Sequence, residues 1–122
     1  TDVCVPMSHL PAAVAAAAAD IAGAGLIGPI VGHVGDGNFH AQILVEPGNA
    51  TELAEAKRIA TRMAERALRV GGTITGEHGV GIGKRGLMAA EHGEGWQVMG
   101  AIKTALDPRD ILNPGKLVPD RN

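Results

Sequence analysis

The sequence has little aromatic material, one cysteine and no excess of charge of either sign. Phe39 and Trp96 are the only aromatic residues among 122, and much of the 45% apolar share is alanine. One domain's worth of chain with such side chains builds a real but modest core. The single cysteine, Cys4, excludes an internal disulfide. It fits a reducing compartment and a cytoplasmic or membrane-peripheral location. A net charge of -2 and a pI near 6.2 leave no basic footprint for a polyanion, so nucleic acid is not an expected partner. No stretch of these residues reads as a signal peptide, so a secretory leader is not expected within them. The longest apolar run, around residues 14–19, is too short and too rich in alanine to span a bilayer. There is also no initiator methionine. The chain opens at Thr1 directly on a strand-like TDVCVP, which reads as a cut within a longer protein.

Glycine, by contrast, is abundant. The 18 glycines are about twice the usual share, and they gather around histidines rather than forming linkers. The densest stretch is residues 29–45, PIVGHVGDGNFHAQILV. Two β-type runs, 28–34 and 38–46, flank a Gly-Asp-Gly turn, which predicts a hairpin. With residues 35–38 as the turn, Val34 faces Phe39 and His33 faces His40. Ile30, Val34, Phe39, Ala41, Ile43 and Val45 then share an apolar face. Val31, His33, His40, Gln42 and Leu44 share the other. Opposed residues have Cβ atoms roughly 5 Å apart, so two imidazoles there can converge on one divalent metal. The plainer alternative is a pair of half-exposed sheet histidines that cap local hydrogen bonds.

A second stretch, GEHGVGIGKR at 76–85, sets a carboxylate beside an imidazole between glycines. Glu77 is a candidate third metal ligand, which makes a His2Glu set with open positions. His78 is a candidate general base, because imidazole titrates near neutral pH. An ordinary solvated polar loop is the alternative. The literal GxGxxG at 81–86 has no buried strand of adequate length leading into it, so a dinucleotide site is not expected. Arg85 stands where a phosphate-binding loop needs Ser or Thr, and there is no CxxC, GxSxG or HExxH. Cys4 reads as a small core residue, His9 and His92 as helix-surface residues, and Lys84 and Arg85 as a solvated loop.

Around these motifs the pattern predicts a strand over 2–6 and an alanine-rich helix over 12–22, with Ser8 as its N-cap and Pro11 in its first turn. A longer helix follows over 51–70. Asn49 and Glu52 are set there as a capping box, and Leu53, Ala56, Ala60, Met63 and Ala67 form an apolar stripe. Residues 87–105 are helix-like but broken by glycines, and the end is extended or turn-rich. The layout is α+β, with helices on one face of an antiparallel sheet.

GHVGDGNFH, GEHGVGIGKR and LDPRDILNPGK, in this order, resemble the C-terminal part of FAD-linked oxidases of the vanillyl-alcohol oxidase type. TDVCVP is similar to the D-lactate dehydrogenase (cytochrome) branch. Glycolate oxidase FAD-linked subunits and D-2-hydroxyglutarate dehydrogenases are close in pattern. The resemblance covers essentially the whole chain. It implies a ferredoxin-like substrate or cap domain over 1–106 and a tail over 107–122 that returns toward an FAD-binding domain outside this sequence. It implies His33, His40 and Glu77 as ligands of zinc or manganese, and His78 as the base that takes the hydroxyl proton of a 2-hydroxyacid while hydride passes to FAD. Asn113 and Lys116, in NPGK, are the expected cofactor-side residues. Gln42 stands where some members carry a substrate-binding asparagine, which leaves that contact out of the expectation. The expected electron acceptor is a cytochrome, a quinone or a flavoprotein. A zinc hydrolase, built on the same His2Glu set with a bound water, is the reading from another class. A third expectation is that the chain alone binds no FAD and is catalytically inert.

Overall fold

The computed structural model describes residues 1–120. Arg121 and Asn122, the last two residues of the expected tail, lie outside the described residues. The chain forms two compact units, Thr1–His78 and a second spanning 79–122.

The first unit runs β1 (Val3–Cys4), α1 (Leu10–Gly23), β2 (Ile30–His33), β3 (Asn38–Ala41) and α2 (Ala50–Arg69). The strands form one antiparallel sheet in the order β1-β3-β2, with β3 in the centre. Thr73 then bridges Cys4 on the outer side of β1, in place of a fourth strand. This is the split βαβ arrangement of ferredoxin-like sheets, and it bears out the α+β layout. Val3, Phe39 and Ala41 line the sheet face that meets the helices. They are buried with Ala17 and Ile21 of α1 and with Ile59, Met63 and Ala67 of α2. The predicted stripe on α2 held Met63 and Ala67, but Leu53 is exposed and Ile59 takes the deepest place.

Capping decides where the helices start. Asn49 caps α2, accepting from the Glu52 N–H at 3.1 Å. The Glu52 carboxylate reaches back past Asn49 to the Glu46 N–H at 2.8 Å, so only half of the expected capping box forms. α1 starts two residues before the predicted helix. Ser8 lies in a 3-10 turn over Met7–His9, and His9 is the N-cap residue. Between α1 and α2, Asp20 pairs with Arg66 and, more loosely, with Arg62. The Arg66 guanidinium is the main reason that the Asp20 carboxyl lies below its usual range.

The hairpin register differs from the expected one. His33 pairs with Asn38, and His40 pairs with Val31. The connection is four residues long, a 3-10 turn over Val34–Asp36 closed by Gly37 with φ +73°. The register is therefore shifted by two residues, and a shift of two keeps the same residues on the same face. Cys4 also departs from expectation. It is half-buried on the polar face and donates its thiol to the Asp36 carbonyl at 3.1 Å.

The second unit holds α3 (Met88–His92) and α4 (Gly95–Leu106), separated at Gly93, and a turn-rich tail. Asp107 anchors the tail. Its carboxylate accepts from the Ile111 and Leu112 N–H groups at 3.1 and 2.9 Å and pairs with Lys103, and Lys103 is the main cause that draws its carboxyl down to about 2. Arg85 is not simply solvated, since it donates to the Val118 carbonyl and pairs with Asp120, both at 2.7 Å. Met88 is the one apolar side chain of this unit found fully buried among the described residues, whereas Ile102, Leu112 and Leu117 are exposed. No helix among the described residues is long and apolar enough to cross a membrane.

Two stability effects are expected. A Cβ on Gly37 would stand 2.0 Å from the Val5 carbonyl oxygen, at a φ that L-residues avoid. Gly37→Ala should therefore lower unfolding free energy by about 2 kcal/mol or more in denaturant titration; a loss under about 0.5 kcal/mol contradicts the turn. Asp20→Asn should cost about 0.5–1 kcal/mol at neutral pH, as a part-exposed pair does. A carboxyl with a lowered folded pKa stabilises above its unfolded pKa and loses that contribution as pH falls through the folded one. The difference between wild type and variant should thus close on acidification below the ordinary carboxylate value of 3.8; a gap that persists in strong acid contradicts the pairing.

Candidate functional site

The polar face of the sheet belongs to alternate residues of the three strands. On β3 these are Asn38 and His40; on β2, Val31 and His33. β1 is in register with β3 through Val3–Phe39, and the Thr1 main-chain nitrogen and hydroxyl continue the ladder to Ala41. Asp2 therefore stands opposite His40. The loop 75–78 lies against this face. Gly76 permits it, because a Cβ there would fall 1.7 Å from the Asn38 side-chain nitrogen.

Asp2 organises the loop. Its side chain is 1% exposed. Oδ2 accepts from the Thr75 hydroxyl at 2.7 Å and from the main-chain N–H groups of Gly76, Glu77 and His78 at 2.9, 3.2 and 3.0 Å. Oδ1 accepts from the Asn38 amide at 2.8 Å. Burial works against ionisation and is the largest single influence. The bonds from Thr75, His78, Asn38 and Glu77 outweigh it together and hold the carboxyl far below the usual range.

Three donors converge above Asp2. His40 Nε2 lies 2.9 Å from Glu77 Oε1, and His33 Nε2 lies 3.3 Å from the same oxygen. One ligand atom from each of His33, His40 and Glu77 falls within 4.8 Å of the other two. The His40 side chain is 9% exposed, against 61% for His33 and 47% for Glu77. The buried histidine is thus the fixed member, and the other two can turn toward a common ion. The expected opposition of the two histidines is replaced by a diagonal one, with ring centroids 6.0 Å apart and planes nearly perpendicular. His78 stacks on His40 at 4.6 Å with planes 15° apart, and 60% of its side chain is exposed. Its Nε2 is 3.8 Å from Glu77 Oε1.

One detail tests whether a metal suits this set. His40 Nδ1 is buried and makes no hydrogen bond, and it sits 3.5 Å from Asp2 Oδ1. Asn38 Oδ1 is likewise without a hydrogen-bond partner. A neutral imidazole that donates from Nε2 to Glu77 presents a bare Nδ1 lone pair to the Asp2 carboxylate. An ion on Nε2 moves the ring proton to Nδ1, where it meets that carboxylate. The donor set, one carboxylate and two imidazoles with a carboxylate behind one of them, is what a divalent metal uses. The residues fit the group.

The expected residues His33, His40, Glu77 and His78 are thus brought together in the first unit. Asn113 and Lys116 lie in the second. There they line a mainly apolar cavity of about 560 Å³ with Ile102, Leu112 and Leu117, and Asn113 has a φ of +48°. Gln42 is exposed, and its main-chain N–H bonds the Pro29 carbonyl at 3.0 Å. Asp2 was not foreseen as a site residue. The available signal was alternation, since Asp2 and Cys4 lie opposite Val3 and Val5. What sequence pattern did not supply was that β1 pairs with β3, which puts that face beside His40.

The family description "FAD linked oxidases, C-terminal domain" matches residues 1–117. The chain is 47% identical over 119 residues to a probable mitochondrial D-lactate dehydrogenase of Danio rerio, covering 97% of this chain and 24% of that protein. It is 45% identical over 120 residues to the mitochondrial D-lactate dehydrogenase [cytochrome] of Arabidopsis thaliana, covering 98% and 21%. With the glycolate oxidase subunit GlcD of Bacillus subtilis it shares 44% identity over 87 residues, 70% of this chain and 18% of that protein. The chain therefore spans a quarter or less of the length of these relatives. With the match running over nearly every residue, and with all four converging side chains inside it, the chain belongs to the C-terminal domain family of the FAD linked oxidases.

Proposed function

We propose that this chain supplies the substrate- and metal-binding part of a flavin-dependent D-2-hydroxyacid dehydrogenase, with D-lactate as substrate and pyruvate as product. The observation that carries the reading is the convergence of His33, His40, Glu77 and His78 on one sheet face in a chain of the FAD linked oxidase family. His33, His40 and Glu77 would hold zinc or manganese. When bound, the metal supplies a Lewis acid for the substrate's oxygens, and the flavin supplies the hydride acceptor.

The rest falls to side chains of this chain. Oxidising a 2-hydroxyacid removes a proton from the hydroxyl oxygen and a hydride from C2, and leaves a carbonyl. His78 takes the proton. Its imidazole is open to solvent on one side and stacked on His40 on the other, so it can meet a hydroxyl held beside the three donors. Asp2 holds the His78 main chain in place, which fixes the base relative to the ligands.

FAD itself we place mainly on polypeptide outside these 122 residues. Asn113 and Lys116 are the residues of this chain we assign to the cofactor side. The exposed apolar side chains around them are in keeping with a covering partner of that kind. Residues 107–122 are accordingly read as a tail toward the flavin-bearing segment, and 1–106 as the substrate part. Glycolate and D-2-hydroxyglutarate are the alternative substrates within the same chemistry, the first in keeping with the GlcD relative. A cytochrome is the preferred electron acceptor, after the wording of the Arabidopsis relative's name, ahead of a quinone or a flavoprotein. A cytoplasmic or membrane-peripheral location rests on one unpaired cysteine, and the D-lactate dehydrogenase relatives above are mitochondrial by name. A His2Glu metal with water could also hydrolyse, but family membership favours oxidation.

A chimera tests the reading. The Danio rerio relative, with its matching segment replaced by this chain, should show flavin bleaching by D-lactate in anaerobic stopped flow. His78→Ala should slow the bleaching by about 10²- to 10⁴-fold, the usual reach of a general base. Unimpaired flavin reduction in the variant contradicts the role of His78.

A further inference from the structure

Asp2 does two things that no neighbouring side chain can do in its place. Through Oδ2 it gathers three successive main-chain N–H groups, and two of these belong to Glu77 and His78. Through Oδ1 it faces the buried Nδ1 of His40, 3.5 Å away, which has no hydrogen bond of its own. The two oxygens of one carboxylate are thus directed at the fixed histidine and at the loop that carries the other two groups. A buried carboxylate needs such partners to remain ionised. Once ionised, it prefers to be faced by a proton rather than by a lone pair.

We infer that Asp2 is the positioning residue of the site. Its carboxylate selects the His40 tautomer with the proton on Nδ1, which leaves Nε2 bare for a divalent metal, and it sets the main chain of Glu77 and His78 against that nitrogen. The inference rests on the metal reading proposed above and adds a residue outside the ligand set. The chemistry is that of a ligating imidazole backed by a carboxylate, where loss of the backing group typically weakens metal binding 10- to 100-fold.

Asparagine at position 2 separates this role from packing. The amide matches the carboxylate in size but has one acceptor and one donor. If its oxygen stays on the loop N–H groups, its NH2 faces His40 Nδ1 and Asn38. Nδ1 must then accept, and the ring proton is driven to Nε2, where it blocks the metal. If the amide turns over, its NH2 opposes the three loop N–H groups.

The test uses the 122-residue chain, zinc alone as probe, competition against a chromophoric chelator for affinity, and long-range ¹H–¹⁵N NMR of His40 for the tautomer. In the zinc-loaded wild type, His40 should carry a slowly exchanging proton on Nδ1. Asp2→Asn should bind zinc about 10- to 100-fold more weakly, with the His40 proton moved to Nε2. Thr75→Val also removes a bond to the Asp2 carboxylate but leaves Oδ1 facing His40. It should keep the Nδ1–H tautomer and shift affinity by less than about threefold. Zinc binding that is indifferent to Asp2→Asn overturns the inference alone. So does a zinc-loaded wild type with the His40 proton on Nε2, a measurement that decides even if the variant does not fold. Failure of the wild type to bind zinc overturns the metal reading itself, and the inference with it.

Discussion

One buried carboxylate ties together the parts of this fold that matter for its chemistry. Asp2 lies just before β1, yet its side-chain partners come from β3 and from the loop 75–78. Just before the loop, an isolated bridge pairs Thr73 with Cys4 of the sheet. Beyond Ile74, donors from Thr75, Gly76, Glu77 and His78 meet one acceptor, Asp2 Oδ2. A site built on a glycine-rich loop is ordinarily loose. Here the looseness is removed at the point where Glu77 and His78 leave the backbone. Their side chains stay half-exposed, which leaves them free to meet a ligand, while their main-chain N–H groups are held by Asp2.

The division of labour across the sheet follows from strand alternation. Val3, Phe39 and Ala41 point to α1 and α2 and are buried. Asp2, Asn38, His40 and His33 point the other way. Period-two alternation lets one short sheet serve as core wall and site floor at once. His40 is in the central strand, flanked on both sides, and is accordingly the most buried of the histidines in the site. His33 is on the edge strand and is exposed. The gradient gives one rigid donor and two adjustable ones.

Much of this was legible in the sequence, and the limits have physical causes. The alanine-rich helix, the amphipathic helix, the hairpin and the break at Gly93 announce themselves by propensity, period and glycine. The shared face of His33 and His40 was legible because any even shift of register preserves it. The register itself was not, because the four-residue loop is centred one position earlier than the expected 35–38: Val34, Gly35 and Asp36 close into a 3-10 turn that ends at Gly37. Long-range pairing was not legible at all. The contacts between Asp2 and the loop span more than 70 residues, and neither propensity nor spacing encodes a contact of that kind. On α2, Ile59 and the Asp20–Arg66 pair were missed for a related reason, since helix periodicity defines a stripe but not which side of it faces a particular neighbour.

On the reading proposed above, His33, His40 and Glu77 hold a metal on the sheet face, with His78 beside them. Crystals of the chain grown with zinc or manganese, measured at the absorption edge of the metal, test it most directly. An anomalous-difference peak is expected about 2.0–2.2 Å from His33 Nε2, His40 Nε2 and a Glu77 carboxylate oxygen, with His78 beside it but not bound. A peak elsewhere on the chain, or none at this site in crystals soaked to saturation, would contradict it.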